Sequence, residues 1–341
     1  MDHVAIDLGG KESQICVRSA DGIIIEEVRW GTRRLNAYLK KRPASRIILE
    51  TSSEAFKVAD VALELGHEVR VVPATLVPAL GVGAHGVKTD RRDARVLSEV
   101  STRVDLPSVH IPSELSRSWK ATCTAREALV TARTQLINSA RGWMRCNLLA
   151  ISCRSSDSFA KKLRAGALAS RHGLPDFIEH QLQVIEVLTD RIAQADAQLK
   201  LLASEHPVCQ RLMTIPGVGP VTALRFVAAV DRVERFRDAH SLQCYLGLVP
   251  GENSSSERKR RTSITKAGPP RVRWALAQAA WNFRRTQKTA PLALWANEVE
   301  KRRGKMIAMT ALARRLAAIM YAIWRDGTRY DPTHRRPLTD A

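Results

Sequence analysis

The run Lys88-Thr89-Asp90-Arg91-Arg92-Asp93-Ala94-Arg95 sets two carboxylates three residues apart among four cations. It stands where a polar loop gives way to a helical pattern carried by Val96, Leu97 and Val100. Positions i and i+3 of a helix share a face, so Asp90 and Asp93 can aim at one point. Clustered carboxylates beside basic side chains suit a hard divalent cation next to a phosphate. The same residues also have a purely structural reading, with Asp90 as N-cap and Asp93 as a first-turn acid favoured by the helix dipole.

Two further acids fall where buried strands run out. Val4, Ala5 and Ile6 end at Asp7, and Ile47, Ile48 and Leu49 end at Glu50. Sites in open α/β sheets form at the carboxyl ends of strands. Singly, Asp7 reads as a turn residue and Glu50 as a helix-start acid. Together with Asp90 and Asp93 they make four carboxylates in a segment without surplus negative charge, which makes structural sense if metal neutralises them. Paired Mg²⁺ (or Mn²⁺) ions about 3.5–4 Å apart would clamp a phosphodiester and activate an oxygen nucleophile. The elements that must position these acids follow from period and punctuation: strands at 4–6, 14–18, 23–28, 46–50 and 68–72, with helices at 33–41, 54–65 and from 90 onward. That order predicts a mixed sheet with helices packed on it.

The chain has 341 residues, 45% hydrophobic and 26% charged, and carries a formal net charge of +20. Such an excess points to a polyanionic partner, most simply nucleic acid. It is uneven: residues 1–100 are near neutral at net +1, while residues 255–341 hold 20 basic and 6 acidic side chains, net +14. The six cysteines are scattered without zinc-ligand spacing. The first residues do not read as a signal peptide, and no apolar run approaches membrane-spanning length. A reduced, cytoplasmic protein is expected.

From 112 to about 205 strand signals vanish. Ile178, Leu182, Ile185, Ile192, Leu199 and Leu202 recur like a coiled-coil seam, flawed by Thr189 and Asp196. The seam predicts either an intrachain hairpin with the helix at 121–149 or a contact between protomers. Further on, Ile215-Pro216-Gly217-Val218-Gly219-Pro220 has the form of a helix-hairpin-helix, whose Gly217 and Gly219 would expose backbone N–H groups to a DNA phosphate. It also reads as a plain interhelix turn. Three serines (Ser254, Ser255, Ser256) precede a basic burst, Arg258-Lys259-Arg260-Arg261, and then Lys266. These cations are candidate nucleic-acid contacts. Helices at 271–285, 292–303 and 306–324 carry tryptophans, which the spacing assigns to the core. The division drawn is 1–150, a spacer at 151–205, and 206–341.

Ile6-Asp7-Leu8-Gly9-Gly10, Ile48-Leu49-Glu50 and the run 88–95, in this order and spacing, resemble the DEDD, RuvC-like domain of insertion-sequence transposases related to the Piv invertase. The resemblance continues through Gly247-Leu248-Val249-Pro250, the serine loop and Ile264-Thr265-Lys266-Ala267-Gly268, which look like that family's second transposase domain. It implies an α/β RNase H-like (RuvC-like) N-terminal domain, a helical coiled-coil spacer and a mainly α C-terminal domain. Asp7, Glu50, Asp90 and Asp93 would be the metal-binding catalytic acids, and a serine of the loop the nucleophile. Alignment from Gly247-Leu248 puts that role on Ser255. The family usually has glycine next, where this chain has Ser256, so Ser254 and Ser256 stay open. The resemblance further implies element-end and target DNA as substrates, a structured bridge RNA as guide, and a homodimer or homotetramer in which the two halves of the site come from different protomers. Its coiled-coil assembly makes the contact between protomers the preferred reading of the seam at 178–202. Competing readings are a RuvC-like junction nuclease that uses water and no serine, and a non-catalytic nucleic-acid binder. A sugar kinase, suggested by Asp7-Leu8-Gly9-Gly10, lacks its second phosphate loop.

Overall fold

The computed structural model describes residues 1–80, 89–150, 152, 153, 155–168, 173–252 and 261–333. The chain divides into two compact units, Met1–Pro112 and Ser113–Ala341.

The first unit lays down β1 (His3–Asp7), β2 (Glu12–Arg18), β3 (Ile24–Gly31), α1 (Leu35–Leu39), β4 (Arg46–Glu50), α2 (Ala55–Glu64), β5 (Glu68–Val72) and α3 (Asp90–Arg103). This is the order that the sequence predicts. The strands form one sheet, β3-β2-β1-β4-β5. Its first three strands are an antiparallel meander, while β4 runs parallel to β1 and β5 parallel to β4. Helix α2 supplies the crossover that parallel neighbours require. Strand alternation then sorts the side chains. Val4, Ile6, Ile15, Val17, Ile47 and Leu49 pack with Leu35, Leu39, Ala55 and Ala59 on one face. Ala5, Ile48 and Val72 pack with Leu97 of α3 on the other.

The second unit begins with two long helices, α4 (Glu114–Cys146) and α6 (Asp176–Glu205), closed at one end by α5 (Phe159–Leu168). Here the structure corrects the preference for an interprotomer seam. Ile178, Leu182 and Ile185 are buried against Ile137, Ala140 and Met144 of α4 and Phe159 and Leu163 of α5. Ile192 and Leu199 are buried as well, at 4% and 0% exposure. The two flaws explain the choice of partner. Asp196 accepts two hydrogen bonds from Arg126 of α4, at 2.8 and 3.2 Å, and the Thr189 hydroxyl accepts one from Arg133 at 3.2 Å. A polar residue in a seam fixes its register and partner, and both point to α4. On another side of α6, Phe177, Val184, Val187 and Leu201 are exposed.

This hairpin explains why α4, expected to trail the first domain, falls in the second unit. It also packs with α8 (Pro220–Val230), which follows α7 (Pro207–Leu212). Further on come α9 (Ala239–Tyr245), the strands β6 (Pro250–Glu252) and β7 (Arg261–Ile264), α10 (Pro270–Thr286), α11 (Pro291–Arg303) and α12 (Lys305–Asp326). Length and composition would let α12 cross a membrane, which the sequence reading did not anticipate. Its apolar side is instead core: Leu312, Leu316, Met320 and Ile323 are buried with Leu224 and Phe226 of α8 and Leu276 and Phe283 of α10.

Candidate active site and nucleic-acid surface

Asp7 and Glu50 close adjacent parallel strands, one step beyond the last aligned pair, Ile6 and Leu49. By alternation Asp7 shares the face of Ala5, and Glu50 that of Ile48, which is the face α3 covers. Two contacts give the direction of α3: His3 Nδ1 and Ser101 Oγ are hydrogen-bonded at 2.8 Å, and Ser98 Oγ donates to Cys16 Sγ, opposite Ala5, at 3.2 Å. From Ser101 back to Asp93 the helix rises about 12 Å. From His3 to Asp7 the strand advances about 13 Å. Asp93 therefore stands level with Asp7, and at 3% exposure it is turned inward.

Asp90 differs. The N-cap is Thr89, whose side chain accepts the Arg92 backbone N–H, so Asp90 is the first helical residue and not the cap. It is exposed, and the shared face expected for Asp90 and Asp93 gives one outward and one inward carboxylate. All-oxygen donors on one sheet end suit a hard divalent cation. Among the described residues, however, no three His, Cys, Asp or Glu side chains form a group that could hold a metal ion. Lys88 lies outside the described residues.

What holds the start of α3 was missed in the sequence. Glu27 of β3 accepts hydrogen bonds from Arg91 at 2.7 Å and from Arg95 at 2.6 Å, bracketing Asp93. The bonds from Arg95 and Arg91 pull the Glu27 carboxyl down to about 2. Its neighbour Glu26, on the opposite face, pairs with Arg42 just after α1. The available signal was the adjacent pair of acids in a strand, which alternation must send to opposite faces.

In the second unit the two glycines of the predicted hairpin motif separate. Gly217 has φ +89°, and a Cβ there would meet Ala279 O at 2.7 Å and Phe283 N at 2.8 Å. The turn needs glycine to pack on α10. Gly219 caps α8 without a side-chain bond, and nothing lies within 4 Å of where its Cβ would be. It borders an open groove of about 1060 Å³ between α8, α10 and the α11–α12 corner. Ser255, Arg258, Lys259 and Arg260 lie outside the described residues. Strands β6 and β7, which carry residues 253–260 between them, pair antiparallel with Glu252 opposite Arg261. Lys266, exposed at the base of this ribbon, has φ +56°.

Residues 4–146 match a family model of the DEDD, IS110 type described as Transposase, and residues 209–293 match one described as Transposase IS116/IS110/IS902 family. The first span holds all four carboxylates. The second holds the glycine turn, both ribbon strands and α10. A transposase for insertion sequence element IS1111A from Coxiella burnetii is 31% identical over 69% of this chain and 66% of its own length. One for IS1328 from Yersinia enterocolitica is 25% identical over 95% of this chain and 97% of its own. The putative transposase y4qE of Sinorhizobium fredii is 31% identical over 77% of this chain and 70% of its own.

Proposed function

This chain belongs to the IS116/IS110/IS902 transposase family, and on that premise we propose that it cuts and rejoins donor and target DNA with two chemically distinct parts. Asp7, Glu50, Asp93 and, once its side chain turns inward, Asp90 would hold Mg²⁺ or Mn²⁺, which would neutralise the scissile phosphate. The observation that carries this half is the common end and face of the sheet shared by Asp7, Glu50 and the inward Asp93. The five-stranded order, with its meander and two parallel strands, supports an RNase H-like, RuvC-like fold for this unit.

The serine loop supplies the second part. Ser255 Oγ attacks phosphorus, forming a serine–phosphate ester as the bond to one deoxyribose oxygen breaks, with a net transfer of the serine proton to that departing oxygen. A DNA hydroxyl later reverses the step and frees the serine. A guide RNA and element DNA are the polyanions that fit the +20 charge. Assembly into a homodimer or homotetramer brings the two parts together, and the outward stripe of α6, with Phe177, Val184, Val187 and Leu201, supports such a contact. The reading places the protein in the cytoplasm.

One experiment tests the whole reading. The protein is incubated with element-end DNA and RNA transcribed from the element's flank, with and without Mg²⁺, and run on a denaturing gel. A protein–DNA adduct that requires Mg²⁺ and maps to 254–256 is expected, and Ser255→Ala abolishes it. Cleavage that persists in Ser255→Ala without adduct marks a water-using nuclease. Activity unchanged by Asp90→Asn and indifferent to Mg²⁺ leaves only a nucleic-acid binder.

A further inference from the structure

We infer that the groove of the second unit holds a single strand of DNA, with its phosphates on Arg285, Lys288 and Lys305 and a base stacked on Trp274. The inference rests on the transposase reading, which requires strands to leave their duplex during exchange.

The groove's cations are not equivalent. Arg284 is answered within the fold, by an ion pair to Glu300 and a 2.9 Å hydrogen bond to Asn297. Arg285 donates to the neutral Asn282 amide oxygen at 3.0 Å. Lys305 sits 5.0 Å from the centroid of the Trp281 ring. Neither contact cancels a charge. Lys288 is exposed, and among the described residues none of these three is ion-paired. Three uncompensated cations around a water-filled groove repel one another unless an anion enters.

The aromatic residues identify the kind of anion. The sequence assigns all the helical tryptophans to the core. Trp281, Trp295 and Trp324 do pack there, half-buried. Trp274 does not: it is 56% exposed. It lies one helical turn before Gln278, which lines the groove, so the two are neighbours on the same face of α10. Trp281 is half-buried against the core and has Lys305 over its ring. A cationic groove with one open aromatic ring a helical turn from its lining is the combination that binds unpaired strands, where phosphates follow the cations and a base lies on the ring. A duplex keeps its bases stacked inside and has nothing to place on Trp274.

The test uses the full-length protein in EDTA, so that no chemistry occurs. Fluorescence anisotropy measures binding to a short labelled DNA strand, an RNA strand of the same sequence, and a blunt duplex, over a range of salt. Trp274→Ala is expected to weaken DNA-strand binding about tenfold, with duplex binding and the thermal melt unchanged, and Trp274→Phe to retain most of the affinity. Lys288→Ala combined with Lys305→Ala is expected to flatten the log–log salt dependence by about 1.4. Equal losses on strand and duplex overturn the inference, as does unaltered binding by both variants. So does an RNA preference that Trp274→Ala removes. If the wild-type protein cuts DNA and forms adducts while Trp274→Ala binds normally, only the groove assignment falls. If Trp274-dependent strand binding occurs in a protein with no Mg²⁺-dependent chemistry, the transposase reading falls instead.

Discussion

Helix α3 of the first unit and the groove of the second treat their cations in opposite ways. In the first, Arg91 and Arg95 are tied to Glu27, and Arg103 to Glu99. Their charge is used to hold a helix in place. In the second, Arg285 and Lys305 lean on an amide and an indole ring, which position the side chain while leaving its charge intact. Local pairing thus separates a helix start built for placement from a groove built for attraction, beyond what the net charges of +1 over residues 1–100 and +14 over residues 255–341 convey.

The sharpest way to break this contrast is at the sheet end. Asp93→Asn should lower Mg²⁺-dependent DNA cleavage by about a hundredfold or more, while binding to DNA in EDTA stays as it was. A loss of binding instead would put Asp93 on the attraction side. Leu97→Ala, which opens a hole under α3, should cost about 2–5 kcal/mol in a denaturant titration. If stability hardly moves, α3 is not held as its packing indicates.

Within the glycine turn the comparison sharpens further. Gly217→Ala combines a backbone clash with a positive φ and should destabilise by more than about 1 kcal/mol. Gly219→Ala should melt close to wild type. Equal melting temperatures would remove the distinction between a packing glycine and a groove glycine.

Acid is a milder probe. The Glu27 carboxyl is lowered from 4.5 to about 2 in the folded chain. A depressed folded value contributes stability that is present above 4.5 and lost as pH falls toward about 2. Glu27→Gln should therefore narrow the gap in melting temperature between pH 5 and pH 3, and an unaltered gap would free α3 from this anchor. The smallest effect is expected between α4 and α6. A double-mutant cycle on Arg126 and Asp196 should give a coupling of about 0.2–1 kcal/mol, and a value of zero would return the seam to another partner.

Much of the first unit was legible because its signals are local: alternation marks the strands, and acids mark their ends. The seam of α6 was legible too, but not its partner, since heptad spacing is the same for a helix of this chain and a helix of another. Thr189 and Asp196 held the answer, though only in combination with Arg133 and Arg126 far away in sequence. Glu27 escaped for the same reason, acting across 64 and 68 residues. Trp274 shows the limit of composition, because nothing in its neighbourhood distinguishes it from the three tryptophans that are packed away.

The antiparallel run of α3 over β1 has a consequence for how this domain can vary. Eight helical residues match four strand residues, so the two elements work as a vernier. One residue inserted between 93 and 101 would slide the upstream helix by only about 1.5 Å but swing it by about 100°, carrying Asp93 out to solvent with His3 and Ser101 still joined. Residues added before 89 leave that setting alone. Insertions should therefore be tolerated upstream of Thr89 and excluded from the eight residues that follow Asp93.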